Sequence, residues 1–442
     1  MTQLDFRQND MGGFTQGLKR IVAGVLLHRG ILSLMDQAVV SATSFLTGIF
    51  VARSCSKEEM GLYWLAFGLV TVLTNVQIAL ISSPYTVYSP RLTGDAHRRY
   101  LGSATLHQAA LSILLMAGLA ASALVSSLTG KQSGLGPVFW VLVTTAGFLL
   151  FREHVRRVYF ASLRVWAALI FDLGISIVQL SAVGILAYFH LLSTVTAYVA
   201  MGAVCGAAAV VWLWINRSEI AIRGSQPLAD FWHNWSQGKW ILASNIVFSL
   251  TTQLPPWFLA WLHGTAETGT FAAAMAFVCL SNPFVMGVGN YLSPKTSRAF
   301  AIGGTRQVAP MMAKATALIG GVMLLFFLVT LSFGDQFVVL MYGAKYAGNG
   351  TTVSVLALAF LVWASVLPVG LALTTWERSD VNFVANLVGL GLALVSGFWL
   401  VGAFGPVGGA WMYLLGHLGA SVARSIGFGK VMRSASELAV ST

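Results

Sequence analysis

Twelve apolar stretches, each about the length needed to cross a lipid bilayer, occupy most of this 442-residue chain. A helix needs about 20 residues to cross the hydrocarbon core. Only 9% of the residues are charged, whereas soluble domains carry about 25%. Because so few charges cannot cover a water-facing surface, the sequence predicts an all-α integral membrane protein with twelve transmembrane helices.

The predicted spans form two groups of six, separated by a polar segment. The first group is 31–52, 60–82, 101–128, 136–151, 165–189 and 193–215, and the second is 239–262, 268–292, 310–333, 351–376, 381–403 and 406–428. The predicted organisation is an N-terminal segment 1–30 with an amphipathic surface helix, an N-lobe 31–215, a cytoplasmic linker 216–238, a C-lobe 239–428 and a tail 429–442.

The distribution of basic residues predicts the orientation. With the N-terminus in the cytoplasm, 22 of the 26 Lys and Arg residues lie on the inner side, and the outer loops hold only Arg53, Lys57, Lys131 and Lys345. The positive-inside rule then predicts a multi-pass protein with both termini cytoplasmic. The basic residues lie in short loops rather than on a polar domain, so we expect membrane lipids and no nucleic acid as partners.

An internal repeat relates the two groups of spans. The second span of each half is entered through Glu59-Met60-Gly61 or Glu267-Thr268-Gly269, an offset of 208, and is left through Ser89-Pro90-Arg91 or Ser293-Pro294-Lys295, an offset of 204. Each half has an even number of spans, so the repeats run parallel. The pattern predicts two six-helix lobes related by a pseudo-two-fold axis along the membrane normal, with chance agreement of these short matches as the alternative.

The motifs of soluble enzymes are missing from the sequence. It contains no G-x-x-x-x-G-K-[ST] phosphate loop and no H-E-x-x-H zinc motif. The three cysteines, Cys55, Cys205 and Cys279, have no metal-binding spacing and are interpreted as small packing residues. We therefore expect no catalytic residues, no metal and no cofactor, and the chain is not predicted to be an enzyme.

Two carboxylates lie at membrane depth, Asp36 in the first span and Asp172 in the fifth. Ionisable groups there are costly and mark functional sites. Both are candidates for ion coupling. The alternatives are contact with a substrate, or a structural pair with a nearby arginine such as Arg29 or Arg164.

Other polar side chains are candidates for a substrate path. Basic residues at the cytoplasmic mouth are candidates for binding phosphate oxygens, and the alternative is that they only set the orientation of the chain in the membrane. They are Arg91, Arg152, Arg156, Arg157, Arg164, Lys295 and Arg298. The four central members of this set, from Arg152 to Arg164, are placed in the loop after the fourth span. Polar residues inside spans are candidates for lining a cavity or for hydrogen bonds between helices: Gln37, Gln77, His107, Gln179, Asn386 and His417.

Four short motifs spread along the chain carry a family resemblance. They are Val51-Ala52-Arg53 with Glu58-Glu59-Met60-Gly61-Leu62-Tyr63, Phe151-Arg152-Glu153 with Arg156-Arg157 and Phe160-Ala161, Leu340-Met341-Tyr342-Gly343-Ala344-Lys345-Tyr346, and Gly405-Pro406-Val407-Gly408-Gly409-Ala410-Trp411. With them the chain resembles the O-antigen-type polysaccharide flippases of the multidrug/oligosaccharidyl-lipid/polysaccharide exporter superfamily.

The resemblance implies a two-lobe fold with a cavity between the lobes. It implies translocation of a polyprenyl-pyrophosphate-linked oligosaccharide from the inner to the outer leaflet of the bacterial cytoplasmic membrane by alternating access, for surface polysaccharide assembly. The partners of such a protein would be the lipid-linked glycan and a polysaccharide polymerase or export machinery. Family cavities often carry basic residues, whereas here the deep positions are read as acidic or neutral. The alternatives are a cation-coupled drug or organic-cation antiporter of the same superfamily and a membrane polysaccharide polymerase.

Overall fold

The computed structural model describes residues 31–128 and 134–440, with the side chains at 237, 294, 297, 301, 303–306 and 434–440 left out. The surface helix predicted within 1–30 lies outside these residues. The described part consists of helices joined by short turns and loops, and it has ten helices long and apolar enough to cross a membrane. The prediction of an all-helical, multi-pass membrane protein is therefore confirmed.

Six helices make up the first half of the chain and six the second. The first six are α1 Ile31–Ser54, α2 Lys57–Arg91, α3 Gly94–Leu128, α4 Leu135–Ala161, α5 Val165–Tyr188 and α6 Thr194–Ile215. The others are α7 Pro227–Leu262, α8 Thr265–Phe300, α9 Gln307–Tyr342 and α10 Gly350–Thr375, followed by α11 at 379–404 and α12 at 406–440. The backbone remains helical between α8 and α9, so Asn282–Tyr342 is continuous over 61 residues.

The boundary between α11 and α12 is a sharp break inside one continuous helical assignment. Gly405 has φ 54° and ψ −128°, a backbone conformation that costs glycine little because it has no Cβ. Pro406 follows, and proline is well suited to the first turn of a new helix. The break coincides with the predicted gap between the last two spans, so Ser379–Val440 holds two spans.

Several helices are longer than the sequence predicted, and two of these extensions change where predicted loop residues lie. Helix α4 continues to Ala161 instead of ending at 151, so Arg152, Arg156 and Arg157 lie on a helix and not in a loop. Ion pairs of Glu153 with the arginines three and four residues later favour this helical extension. Helix α7 begins at Pro227, inside the predicted linker 216–238.

The two halves meet most closely where α2 crosses α8. At Gly61 a methyl group would collide with the carbonyl oxygen of Thr265, and at Gly269 it would collide with that of Lys57. Both pairs of equivalent positions are separated by 208 residues, the offset of the sequence repeat. The contact is therefore reciprocal, as expected where a two-fold axis relates two copies of one motif.

Packing within each half follows neighbouring helices. Helix α4 packs against α3 and α6, and α10 packs against α9 and the α11–α12 segment, which also contacts α7. The largest buried apolar cluster includes Met60 and Leu142 of the first half and Phe271 and Phe360 of the second. Large apolar side chains such as Leu114 are exposed on the outside of the helices, as expected where the solvent is lipid.

Candidate substrate and ion sites

A network of opposite charges joins α1, α4 and α5. Asp36 and Asp172 are fully buried. Arg156 Nη2 donates to Asp36 Oδ2 at 2.6 Å, and Arg152 donates to Asp172 Oδ1 through Nε and Nη2 at 2.9 and 2.7 Å. Arg156 Nε lies 2.6 Å from Asp172 Oδ2, off the direction of a hydrogen bond. Both carboxylates thus have arginine partners on α4.

The network extends along α4 to a third acid and a third arginine. Glu153 Oε2 accepts from Arg156 Nη1 at 2.9 Å, and Glu153 Oε1 accepts from Arg157 Nε at 2.7 Å. We call Asp36, Arg152, Glu153, Arg156, Arg157 and Asp172 the first-half charge network. With three acids and three arginines ionised, its net charge is zero.

The predicted alternative of a structural pair names different arginines. Arg29 lies outside the described residues, and Arg164 is exposed and contacts Glu219 at 3.7 Å. The actual partners come from α4 because this helix packs against α5, a proximity that sequence spacing does not reveal. Protonation of either aspartate would leave the network with a net positive charge, so ion coupling is chemically available to it.

The basic candidates split into two groups. Arg152 and Arg156 already have carboxylate partners, so a phosphate would have to compete with these acids. Arg91, Lys295 and Arg298 are exposed. Arg91 lies over the Tyr88 ring at 5.8 Å, and Lys295 lies over the Tyr291 ring at 5.0 Å. Each of these two contacts joins residues three or four positions apart in the chain, so neither connects different helices.

Four of the polar candidates form hydrogen bonds within or between helices. The side-chain amides of Gln77 and Gln179 donate to Leu150 O at 2.9 Å and to Thr47 Oγ1 at 3.2 Å. Gln37 donates to Ser41 Oγ at 3.4 Å, and His107 Nε2 donates to the carbonyl oxygen of Pro227 at 2.7 Å. The bonds of Gln77, Gln179 and His107 are interhelical contacts, the alternative given in the sequence analysis, and the bond of Gln37 lies within α1.

The other two polar candidates, Asn386 and His417, lie together at a small cavity, with about the room that one water molecule needs. We call this the second-half cavity; its lining residues are Phe248, Thr251, Trp363, Asn386, His417, Ala420, Ser421 and Arg424. They belong to α7, α10, α11 and α12. This small cavity therefore lies within the second half of the chain. The cavity between the lobes that the family resemblance implies stays a prediction.

Arg424 is the functional candidate that the sequence analysis missed, because it counted this residue only as an orientation charge. Its Nε donates to Asn382 Oδ1 and its Nη2 to Asn386 Oδ1, each at 2.9 Å. Among the described side chains, no carboxylate pairs with it. The spacing of 417, 420, 421 and 424 puts these residues on one helix face, and this signal could have identified the site.

A second set of contacts between the halves lies where the topology predicts the outer surface. Arg53, at the end of α1, donates from Nε to Met341 O at 2.8 Å and from Nη2 to Leu340 O at 2.5 Å. Lys345 Nζ donates to Cys55 O. Burial raises the pKa of the Cys55 thiol to about 11, with Glu59 adding to the shift and Lys345 opposing it. We call these three residues, Arg53, Cys55 and Lys345, the outer junction.

Comparison with solved structures identifies the fold. The chain is similar to an inward-facing multidrug resistance MATE family transporter of the MOP superfamily, with 14% identity, a TM-score of 0.74, and coverage of 91% of this chain and 98% of that one. An outward-facing structure of such a transporter gives a TM-score of 0.65 at 14% identity, over 92% and 95% of the two chains.

A third solved structure has a similar fold and a different reported pocket. It is a MOP superfamily transporter from Pyrococcus furiosus, described by the reverse polarity of its binding pocket, with 14% identity, a TM-score of 0.66, and coverage of 92% and 95%. No family model and no curated protein matches the chain. At this identity, the likeness establishes that the chain has the MATE-type transporter fold.

Proposed function

We propose that this chain is an alternating-access antiporter that exports an amphipathic organic solute across the cytoplasmic membrane. The observation that carries the proposal is the likeness, over more than nine-tenths of the chain, to both inward- and outward-facing MATE family transporters. The higher TM-score belongs to the inward-facing structure. This supports an inward-facing state for the conformation described here.

The outer junction supports the same assignment of state. Arg53 and Lys345 connect the end of α1 to the segment after α9, on the side that the basic-residue pattern predicts to be outside. An inward-facing transporter has its halves closed on that side. Opening to the outside would require these hydrogen bonds to break.

Ion coupling is assigned to the first-half charge network. A proton or other cation bound at Asp36 or Asp172 would withdraw one carboxylate from Arg152 or Arg156. This change of charge balance at the contact of α1, α4 and α5 would favour a different helix arrangement. The aspartates would be the coupling groups, and the arginines of α4 would respond to them.

Transport by reconstituted protein tests this assignment. We expect Asp36→Asn and Asp172→Asn each to lower proton-gradient-driven export in proteoliposomes and to flatten its pH dependence. Asp95→Asn is a control, because Asp95 is exposed and contacts only Arg98. Wild-type rates and an unchanged pH profile in both buried-aspartate variants would remove the coupling role.

Two cargo classes have support from different observations. A drug-type solute is favoured because the matched transporters are named multidrug resistance proteins. A polyprenyl-pyrophosphate-linked oligosaccharide is favoured by the sequence motifs and by the cationic Arg424 at the second-half cavity. A polymerase has no comparable support.

Gene deletion separates the two cargo classes. Loss of a drug exporter makes cells sensitive to the exported compounds and leaves lipid-linked glycan unchanged. Loss of a flippase causes lipid-linked glycan to accumulate on the cytoplasmic side without a general drug phenotype. Each phenotype should be restored by the wild-type gene and not by the Asp36→Asn variant.

A further inference from the structure

We infer that the segment 221–236, which joins the two halves, is an anchor that docks on the membrane itself. It lies at the boundary between headgroups and acyl chains of the leaflet predicted to be cytoplasmic, and it prefers anionic phospholipids. We call this segment the linker anchor; it holds the end of the linker and the first turns of α7. Its lipid belongs to the surrounding bilayer and is not a transported solute, so the inference does not depend on the proposed function.

Contacts along α3 place the linker anchor at membrane depth. His107 Nε2 donates to the carbonyl oxygen of Pro227 at 2.7 Å, and Tyr100 Oη donates to Asn234 Oδ1 at 2.9 Å. His107 lies six residues inside the apolar span predicted at 101–128, about 9 Å along the helix. The first turns of α7 are therefore beside the inner end of a membrane span, although the sequence predicted a cytoplasmic linker there.

The first turns of α7 have one covered face and one apolar face that the described residues leave open. On the covered face, Asn234 is buried and the Phe231 ring is 5.9 Å from the His107 ring. Leu228 and Trp232 are four residues apart and so share another face; they are 73% and 62% exposed. Exposure of large apolar side chains to water is unfavourable. At this depth the molecules available to cover them are lipids.

Basic residues beside this face indicate which lipids. Arg99 and Arg223 are exposed, and the Arg99 guanidinium carbon is 3.6 Å from the position that a Cβ of Gly224 would take. Among the described side chains, neither arginine forms an ion pair with a carboxylate. Lys239 lies over the Trp240 ring at 5.8 Å. Tryptophan beside basic residues is typical of the headgroup region, and uncompensated basic residues there attract anionic lipids.

The depth along α3 agrees with the way in which amphipathic helices bind membranes. Such helices insert their apolar face about 5–10 Å into the boundary between headgroups and acyl chains, and His107 is about 9 Å inside the predicted span. A protein partner would have to displace lipid from the inner end of α3 to reach Leu228 and Trp232. The bilayer itself is therefore the partner that this face fits.

The accessibility of nitroxide labels tests the depth of the linker anchor. Full-length protein without its native cysteines is labelled at Leu228→Cys or Trp232→Cys and reconstituted in vesicles of phosphatidylcholine and phosphatidylglycerol. At both positions we expect more collisions with oxygen than with a water-soluble nickel chelate, as at the lipid control Ile177→Cys, an exposed position in the middle of α5. Asp380→Cys, an exposed position at the start of α11, is the aqueous control and should show the reverse.

Two outcomes of this measurement would overturn the anchor. Accessibility at Leu228 and Trp232 equal to that at Asp380 would place the segment in water. Low accessibility to both reagents would indicate that a second copy of this chain covers the face instead of lipid.

Competition between lipids tests the anionic preference. Native mass spectrometry of the purified full-length protein compares phosphatidylglycerol with phosphatidylcholine of the same acyl chains. We expect the combined variant Arg99→Gln and Arg223→Gln to bind phosphatidylglycerol about tenfold more weakly and phosphatidylcholine as the wild type does. Arg378→Gln with Arg433→Gln is the matched control, because it removes two exposed arginines from the second half and changes the net charge equally. An equal loss in the control, or none in the first variant, would overturn the preference.

Discussion

The partly buried arginines of the two halves have different neighbours. In the first half, three arginines pair with three carboxylates, so the charges balance: Arg152, Arg156 and Arg157 with Asp36, Glu153 and Asp172. In the second half, Arg424 has two amide partners and no described carboxylate. The difference shows that the neighbours of a partly buried arginine decide whether its charge is balanced.

The same contrast separates two kinds of function. A balanced network changes its charge only when a proton or cation binds, so it is suited to sensing an ion. A cation held by amides keeps its charge and lies beside a cavity, so it is suited to binding an anion. The proposed ion-coupling role is therefore placed in the first half of the chain.

The largest effect is expected from breaking the charge balance of the first half. Arg156→Gln leaves buried carboxylates without their shared partner, and breaking a buried pair typically costs about 3–5 kcal/mol. We expect much less folded protein in membranes and a lower unfolding temperature in detergent. A variant as stable as the wild type would show that the network is not balanced in the way described.

A matched control and a second-site change sharpen this prediction. Arg157 is 40% exposed and contacts only Glu153 within the network, so Arg157→Gln should cost less than about 1 kcal/mol, as exposed pairs do. Adding Asp36→Asn to Arg156→Gln should recover part of the stability, because it removes one unpaired carboxylate.

The next effect concerns the equivalence of the halves at the α2–α8 crossing. Gly61→Ala and Gly269→Ala each place a methyl group against a backbone carbonyl of the other helix, and overpacking costs about 1–3 kcal/mol. Thermal unfolding should show similar losses for both variants. Gly118→Ala is the control, because nothing lies within 4 Å of a Cβ at that position. Very different losses at Gly61 and Gly269 would argue against the reciprocal contact.

A smaller effect is expected at the outer junction. Arg53→Gln removes a charged donor to Leu340 and Met341, a loss of about 1–2 kcal/mol that favours separation of the halves on that side. Spin labels at Ser54→Cys and Ala344→Cys, in a background without native cysteines, should show a larger fraction of long distances. Arg217→Gln is the control, because Arg217 is an exposed arginine before α7, and it should leave the distance distribution unchanged. An unchanged distance distribution in Arg53→Gln would show that the junction has no role in closure.

The smallest effect is a change in thiol reactivity at the same place. With the pKa of Cys55 raised to about 11, its thiolate fraction increases about tenfold per pH unit between pH 7 and 9. Maleimide labelling of a variant that retains only Cys55 should follow this slope. Lys345→Gln should slow labelling further, because Lys345 lowers the pKa of Cys55 and its loss raises it. A plateau below pH 9 would contradict the buried junction.

Much of the fold is predictable from hydrophobic pattern alone. The spans, the break before Pro406 and the repeated Glu-x-Gly entry to the second span of each half are local properties of the sequence. The ends of α4 and α7 are not, because charged and aromatic residues extend these helices beyond the apolar run. Burial of Arg152 and Arg156 among carboxylates became visible only once α1, α4 and α5 were placed together.

The candidate sites were only partly predictable for the same reason. Asp36 and Asp172 are conspicuous because acids are rare at this depth, and Asn386 and His417 are conspicuous because they are polar within spans. Arg424 was hidden among the many basic residues near inner helix ends. Its significance comes from what is beside it, namely Asn382, Asn386 and the cavity, and neighbours on other helices cannot be read from one sequence.

The contrast between the halves can be tested most directly by an experimental structure of the full-length protein. We expect Asp36 and Asp172 to be paired with Arg156 and Arg152, and Arg424 to be bonded to Asn382 and Asn386 without a carboxylate partner. Buried aspartates without arginine partners, or a carboxylate paired with Arg424, would contradict this contrast.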